Sequence, residues 1–276
     1  MLTGPLEVIG RLTTASNATF LCRLAASGQV PGEYAAPDAT VGEGPRCVYK
    51  PVLGERPLWD FPDGTLADRE YASYLISEAL GWGIVPRTVL RDGPHGSGMV
   101  QEWIDPPAAV AGADADETGL VDLFPIDEVP DGFLPVFAAE DGRGRRVVLA
   151  HADDPRLEKM AVLDVLLNNP DRKAGHVLRG PGDRVYGVDH GICLHSDPKL
   201  RTVLWGWAGR PVRPEWLADI TALGEDLESD TALSDLLDAL LTVNEVAALR
   251  SRADHLVESA RLPQPTGGHV IPWPPF

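Results

Sequence analysis

An α+β fold in two lobes, an N-terminal antiparallel sheet with one helix followed by a mostly helical C-terminal lobe, is what the sequence predicts. Three observations carry it. The first hundred residues alternate short β-like runs with Gly- and Pro-rich turns around one amphipathic helix. The C-terminal third shows three segments with apolar residues at helical spacing. The length of 276 residues, at ~150 per domain, suffices for one large or two small domains with a sizeable core. The expected division gives an N-lobe of residues 1–104 and a C-lobe of residues 105–276.

Residues 19–25 and 46–52 are compact β-like runs on either side of the Gly/Pro-rich segment 28–45, and they are expected to pair antiparallel. Residues 66–81 carry apolar side chains at helical spacing, Asp68 and Glu70 early in the helix where its dipole favours acids, and a terminal glycine. Residues 85–90 and 98–104 read as two more strands around a turn at Asp92-Gly93-Pro94. With a further strand before the polar turn 10–20, the N-lobe order is ββ-β-α-ββ. Residues 105–135, acidic and rich in Ala, Pro and Gly, read as the link between the lobes. Beyond them 155–168 is an amphipathic helix, followed by a loop and two short strands. Further helices are expected near 213–223, 230–241 and 243–261, before a Pro-rich tail.

Charge narrows the partners. Lys+Arg 24 against Asp+Glu 41 gives a net charge of −17, which repels nucleic acid and anionic membrane unless a basic patch overrides the field. The sequence shows no such patch, so neither nucleic acid nor stable membrane association is expected. Cys22, Cys47 and Cys193 form no CxxC pair, and reduced thiols are the simplest reading. With no leader-like N-terminus and no run of ~18 apolar residues, a cytoplasmic protein is expected.

Chemistry concentrates in two places. Asn168-Asn169-Pro170-Asp171-Arg172-Lys173 follows a helix and puts Asp171 in a loop, five residues before His176. Shortly after, a strand ends in Asp189-His190-Gly191, an Asp-x-Gly. Kinases use this layout. One aspartate receives or orients the acceptor hydroxyl, and the Asp-x-Gly aspartate holds a metal against the phosphates, because phosphoryl transfer needs in-line positioning and charge neutralisation. Upstream, Lys50 closes a strand and Glu70 lies in the N-lobe helix, a pair able to aim an ammonium at the phosphates. The polar turn 10–20, with Ser16 and Asn17, offers backbone N–H groups to phosphate oxygens. Gln101-Glu102-Trp103 lies where a strand crosses between lobes, so its backbone is placed to read an adenine edge.

Ser16-Asn17, Tyr49-Lys50-Pro51, Glu70, Asp171-Arg172 and Asp189-His190-Gly191 together resemble the phosphatidylinositol 3-/4-kinase superfamily and its bacterial HipA-type relatives. Residues 54–66, with Asn169-Pro170-Asp171-Arg172-Lys173, resemble a bacterial kinase-like family of this length. The resemblance spans nearly the whole chain. It implies a bilobal protein-kinase-like fold, ATP with Mg2+ or Mn2+, and Lys50, Asp171 and Asp189 in the matching roles. It departs at His176, where the superfamily has an asparagine; imidazole suits manganese better than magnesium, and Asn168 and Asn169 are the nearby amides. The expected activity is transfer to protein Ser/Thr, including the chain's own. A nucleotide-binding module without turnover, a lipid kinase and a nucleotidyl transferase are the alternatives. To hold ATP, so acidic a chain is expected to gather Lys50, Arg172, Lys173 and a divalent ion into a locally positive cleft.

Overall fold

A computed structural model describes residues 2–13, 17–25, 44–106 and 119–276. The N-terminal sheet contains β1 (Leu6–Arg11), β2 (Phe20–Leu24), β3 (Arg46–Pro51), β4 (Thr88–Gly93) and β5 (Gly96–Glu102) in the antiparallel order β1-β2-β3-β5-β4. The expected β2–β3 pairing is present, with Phe20 opposite Tyr49 and Cys22 opposite Cys47. Period-two alternation sends Cys47 and Tyr49 into a small core with Cys22, Leu24 and Val100. Lys50 is thereby turned to the opposite face. Gly98 permits this register: a Cβ there would lie 2.3 Å from the Lys50 carbonyl oxygen.

Helix α1 (Leu66–Ala79) starts at a capping box between Thr65 and Asp68. Its buried Ala72 and Ile76, with Leu80 just beyond, join a large core shared with α2 (Pro155–Leu167), α3 (Pro214–Glu228), α4 (Ala232–Leu240) and α5 (Val243–Ser259). A buried ion pair, Arg69 with Glu245, ties α1 to α5. The N-lobe helix thus packs on the C-lobe as well as on its own sheet. All three expected C-terminal helices form, with α3 running to Glu228 rather than 223.

One expectation is overturned. The stretch read as a link contains β6 (Val121–Pro125) and the start of β7 (Phe133–Glu140), which with β8 (Arg146–Ala152) make a three-stranded antiparallel sheet in the order β6-β8-β7. Phe124, Val148 and Ala150 pack there with Phe133. Residues 107–118 of that stretch lie outside the described residues. The loop after α2 leads to a hairpin of β9 (Val177–Gly180) and β10 (Arg184–Gly187). Among the described residues no helix is long and apolar enough to cross a membrane, and Cys22, Cys47 and Cys193 are free and buried.

Candidate functional site

Strand β3, helix α1 and the segment after β10 converge on a cleft of roughly 110 Å³ lined by Lys50, Glu55, Glu70, Asp171 and Asp189. The Lys50 ammonium donates to Glu70 Oε1 at 2.6 Å and to Asp189 Oδ1. Glu70 is itself oriented, since its Oε2 accepts the His190 backbone N–H at 3.0 Å. Burial alone would drive the Lys50 pKa down, but Glu70 and Asp189 outweigh it and hold the ammonium above its usual range. In return, chiefly the Lys50 charge holds Asp189 well below the usual carboxylate range. Asp189 reaches this position with φ of 63°, the left-handed region that a short polar side chain tolerates better than most.

Beneath the cleft, Arg172 organises the loop. It is fully buried, pairs with Asp164 at 2.8 Å, and donates to the carbonyls of His176 (3.2 Å) and Val188 (3.1 Å). Gly187 leaves it room, because a Cβ there would sit 2.9 Å from the guanidinium. Arg172 therefore does not reach the cleft as expected, whereas Lys173 stands 3.2 Å from the Asp171 carboxylate. Asn169 is likewise committed: its amide donates to Asp164 and its oxygen accepts the Asp171 backbone N–H. Asn168 holds His195, Asp197 and Lys199. Neither amide is free to ligate a metal.

His176 Nδ1 lies 2.9 Å from the Asp171 carbonyl oxygen. A carbonyl only accepts, so the proton is on Nδ1 and the Nε2 lone pair faces Asp189 Oδ2, 3.4 Å away. Burial lowers the His176 pKa, outweighing the pull of Asp189, so the ring is neutral at pH 7. A neutral imidazole oriented by a carbonyl and facing an ionised carboxylate is a donor pair that fits a divalent cation. The rest of the coordination shell would come from phosphates and water. Among the described residues no three His, Cys, Asp or Glu side chains gather as a metal cluster.

Of the remaining expected residues, Asn17 lines the cleft and its Oδ1 accepts from the Arg56 backbone N–H, and Ser16 lies outside the described residues. Gln101, Glu102 and Trp103 do not line the cleft. The Gln101 side chain is spent on Thr88, and the Glu102 and Trp103 backbone N–H groups are spent on the Arg87 and Arg46 carbonyls. Those two backbone N–H groups are therefore not open to an adenine edge, while the Trp103 indole N–H is buried without a partner. Glu55 is the residue that sequence reading missed. Its two oxygens accept the Leu66 and Ala67 N–H groups at the start of α1, each at 2.9 Å. Burial pushes its carboxyl pKa up. Four carboxylates against one ammonium leave this lining negative, contrary to the positive cleft expected from sequence.

No family model matches the chain. In structure it is similar to the Golgi casein kinase. A crystal structure of that kinase with Mn/ADP bound matches with a TM-score of 0.51 and 12% identity, over 94% of this chain and 73% of the kinase. A second crystal structure of it gives 0.50 and 13%, over 96% and 76%. Identity at that level carries the fold alone, and the fold is protein-kinase-like. In sequence, protein Rv2133c of Mycobacterium tuberculosis (strain ATCC 25618 / H37Rv) is 50% identical over 275 residues, 99% of this chain and 93% of that protein. With half of its residues shared along nearly its full length, the chain belongs to the family of protein Rv2133c.

Proposed function

We propose that the chain is a phosphotransferase that moves the terminal phosphoryl group of ATP, in the presence of Mg2+ or Mn2+, to a protein Ser or Thr hydroxyl. One observation carries the reading: Lys50 is held between Glu70 and Asp189 in a cleft that Asp171 also lines. That constellation sits in a kinase-like fold. Lys50 contacts the phosphates, Glu70 keeps its ammonium aimed, and Asp171 orients or deprotonates the acceptor. Asn17, which lines the cleft, faces the phosphates. Asp189 and His176 would hold the divalent ion, which supplies the positive charge that a lining of four carboxylates lacks. A net charge of −17 favours a protein acceptor over an anionic lipid surface. The closer affiliation, with the phosphatidylinositol 3-/4-kinase and HipA-type group, rests on the sequence motifs. Residues 1–104 serve as the nucleotide clasp and 105–276 as the catalytic lobe.

Incubation with γ-labelled ATP and Mg2+ or Mn2+ tests this. Wild type labels itself or an added protein, and Asp171→Asn lowers the rate at least ~100-fold, as loss of a positioned acid–base group does. Equal labelling by the two proteins would remove Asp171 from the chemistry. His176 supports a second reading, a nucleotide-binding module without turnover. Thermal stabilisation by ATP with no transfer under either metal selects it.

A further inference from the structure

The concavity that gathers positive charge is not the cleft. We infer that a second cavity, backing onto the Asn168–Arg172 segment, binds a small multiply charged oxyanion of the phosphate-ester or pyrophosphate class. This site is separate from the proposed catalytic function and does not depend on it.

The cavity, of roughly 530 Å³, lies between α5, the segment 196–205 and the C-terminal tail. Its titratable lining is Lys199, Arg201, Arg252, His255 and His269, with no aspartate or glutamate. In a chain with 41 acids against 24 Lys and Arg, a basic concavity without acids is the reverse of what composition alone would produce. Lys199 is neutralised by Asp60 at 2.6 Å. Among the described residues, Arg201 and Arg252 have no carboxylate within 4.0 Å.

Arg252 is the telling residue. Its Nε donates to the Leu166 carbonyl at 2.7 Å and one terminal nitrogen reaches the His195 carbonyl at 3.4 Å, while the other terminal nitrogen is buried without a partner. Desolvation pulls its pKa down to about 10. A buried cation normally has its counter-charge inside the fold, because the desolvation cost otherwise goes uncompensated. Here Glu245, the carboxylate whose charge acts on Arg252, is already committed to Arg69, and an anion in the adjoining cavity supplies the remaining counter-charge. The exposed Arg201 guanidinium offers the forked donors that match a phosphate, and Arg252 behind it adds its charge.

The tail sets the size of the ligand. Leu262 is pinned by paired backbone bonds with Gly209 and Arg210. Val270 is pinned through its carbonyl by the Thr202 N–H and by the Trp205 indole N–H at 2.8 Å. Residues 263–269 therefore form a strap over the cavity, tied at both ends, which admits a small molecule and excludes an extended polymer. Arg201 also exchanges backbone hydrogen bonds with Asn169 and Arg172, so a ligand held there adjoins the Asp171 loop directly.

Calorimetric titration of the full chain with inorganic pyrophosphate in metal-free buffer tests the site. Wild type binds, Lys50→Met in the cleft binds equally, and Arg201→Gln weakens binding at least tenfold. Arg201 is exposed, so its variant is expected to fold; Arg252→Lys, which keeps the charge but loses the fork, weakens binding less than Arg201→Gln. Absence of binding to wild type would overturn the inference. So would binding that Lys50→Met abolishes and Arg201→Gln leaves intact, because the anion would then sit in the cleft.

Discussion

Single residues divide the site into parts that hold the fold and parts that do chemistry. Arg172 belongs to the first kind. With Asp164 also fully buried, truncating the arginine strands an uncompensated carboxylate, a change that costs about 3–5 kcal/mol. Arg172→Met should therefore lower the unfolding free energy by about that much in urea titrations, a larger loss than Lys50→Met produces, because Lys50 is 21% exposed and its partner Asp189 50%, against 0% for both Arg172 and Asp164. His176 is proposed to be of the second kind. Its Nε2 lone pair faces Asp189, and a nitrogen donor favours manganese over magnesium where an amide oxygen would not. Phosphotransfer should run faster with Mn2+ than with Mg2+ in wild type, and His176→Asn should move the preference toward Mg2+. An unchanged ratio of metal-supported rates in that variant would remove His176 from the metal shell.

At the scale of elements, α1 ties the lobes together and carries Glu70. Its start is fixed twice, by the Thr65–Asp68 capping box and by the Glu55 carboxylate on the Leu66 and Ala67 N–H groups. Thr65→Ala should cost about 1 kcal/mol of stability. Adding Glu55→Gln should increase that cost and slow phosphotransfer, because fraying the first turns loosens the Lys50–Glu70 pair; denaturation and rate measurements on the same proteins check both. The element order ββ-β-α-ββ and the helices were legible because alternation, caps and helical spacing are local signals. Lys50, Glu70, Asp171 and Asp189 were legible through the kinase-like motif pattern rather than through any one of them, and they line one cleft. The sheet β6-β8-β7 was not legible. Pro125, Pro130 and Pro135 interrupt its alternation, and β7 carries a bulge between Pro135 and Phe137. Glu55 escaped notice because nothing in a loop sequence shows which helix end a carboxylate will cap. Gln101, Glu102 and Trp103 misled because a strand at a lobe crossing reads the same whether its edge is open or, as here, covered on both sides.

For the whole molecule, the response to acid sets two charge effects against each other. The net charge of −17 repels itself at pH 7, and that repulsion relaxes as the pH falls toward the pI of about 4.7. By itself this would stabilise the fold. Two buried histidines, His151 and His190, and the partly buried His176 act in the opposite direction. His151 donates through Nδ1 to the Ala152 carbonyl and accepts the Gly206 N–H at Nε2, so both nitrogens are committed in the neutral form, and burial lowers its pKa from 6.5 to about 4. His190 accepts from Arg172 and is held neutral by burial, and His176 is lowered too. Each has a folded pKa below its unfolded value, so the unfolded chain takes up protons first. Their stabilisation is complete above pH ~6.5 and is lost as the pH falls toward the folded values. For His151 alone, a window of 6.5 to about 4 corresponds to about 3 kcal/mol. Surface repulsion is spread over exposed groups and screened within ~8–10 Å at ordinary salt, so the histidines should win. The unfolding free energy from urea titrations should fall between pH 6.5 and 4.5 even as the net charge approaches zero. His151→Gln should flatten that slope by about one proton, or about 1.4 kcal/mol per pH unit. A stability maximum near the pI would instead show that repulsion dominates and that these imidazoles do not enter the fold neutral.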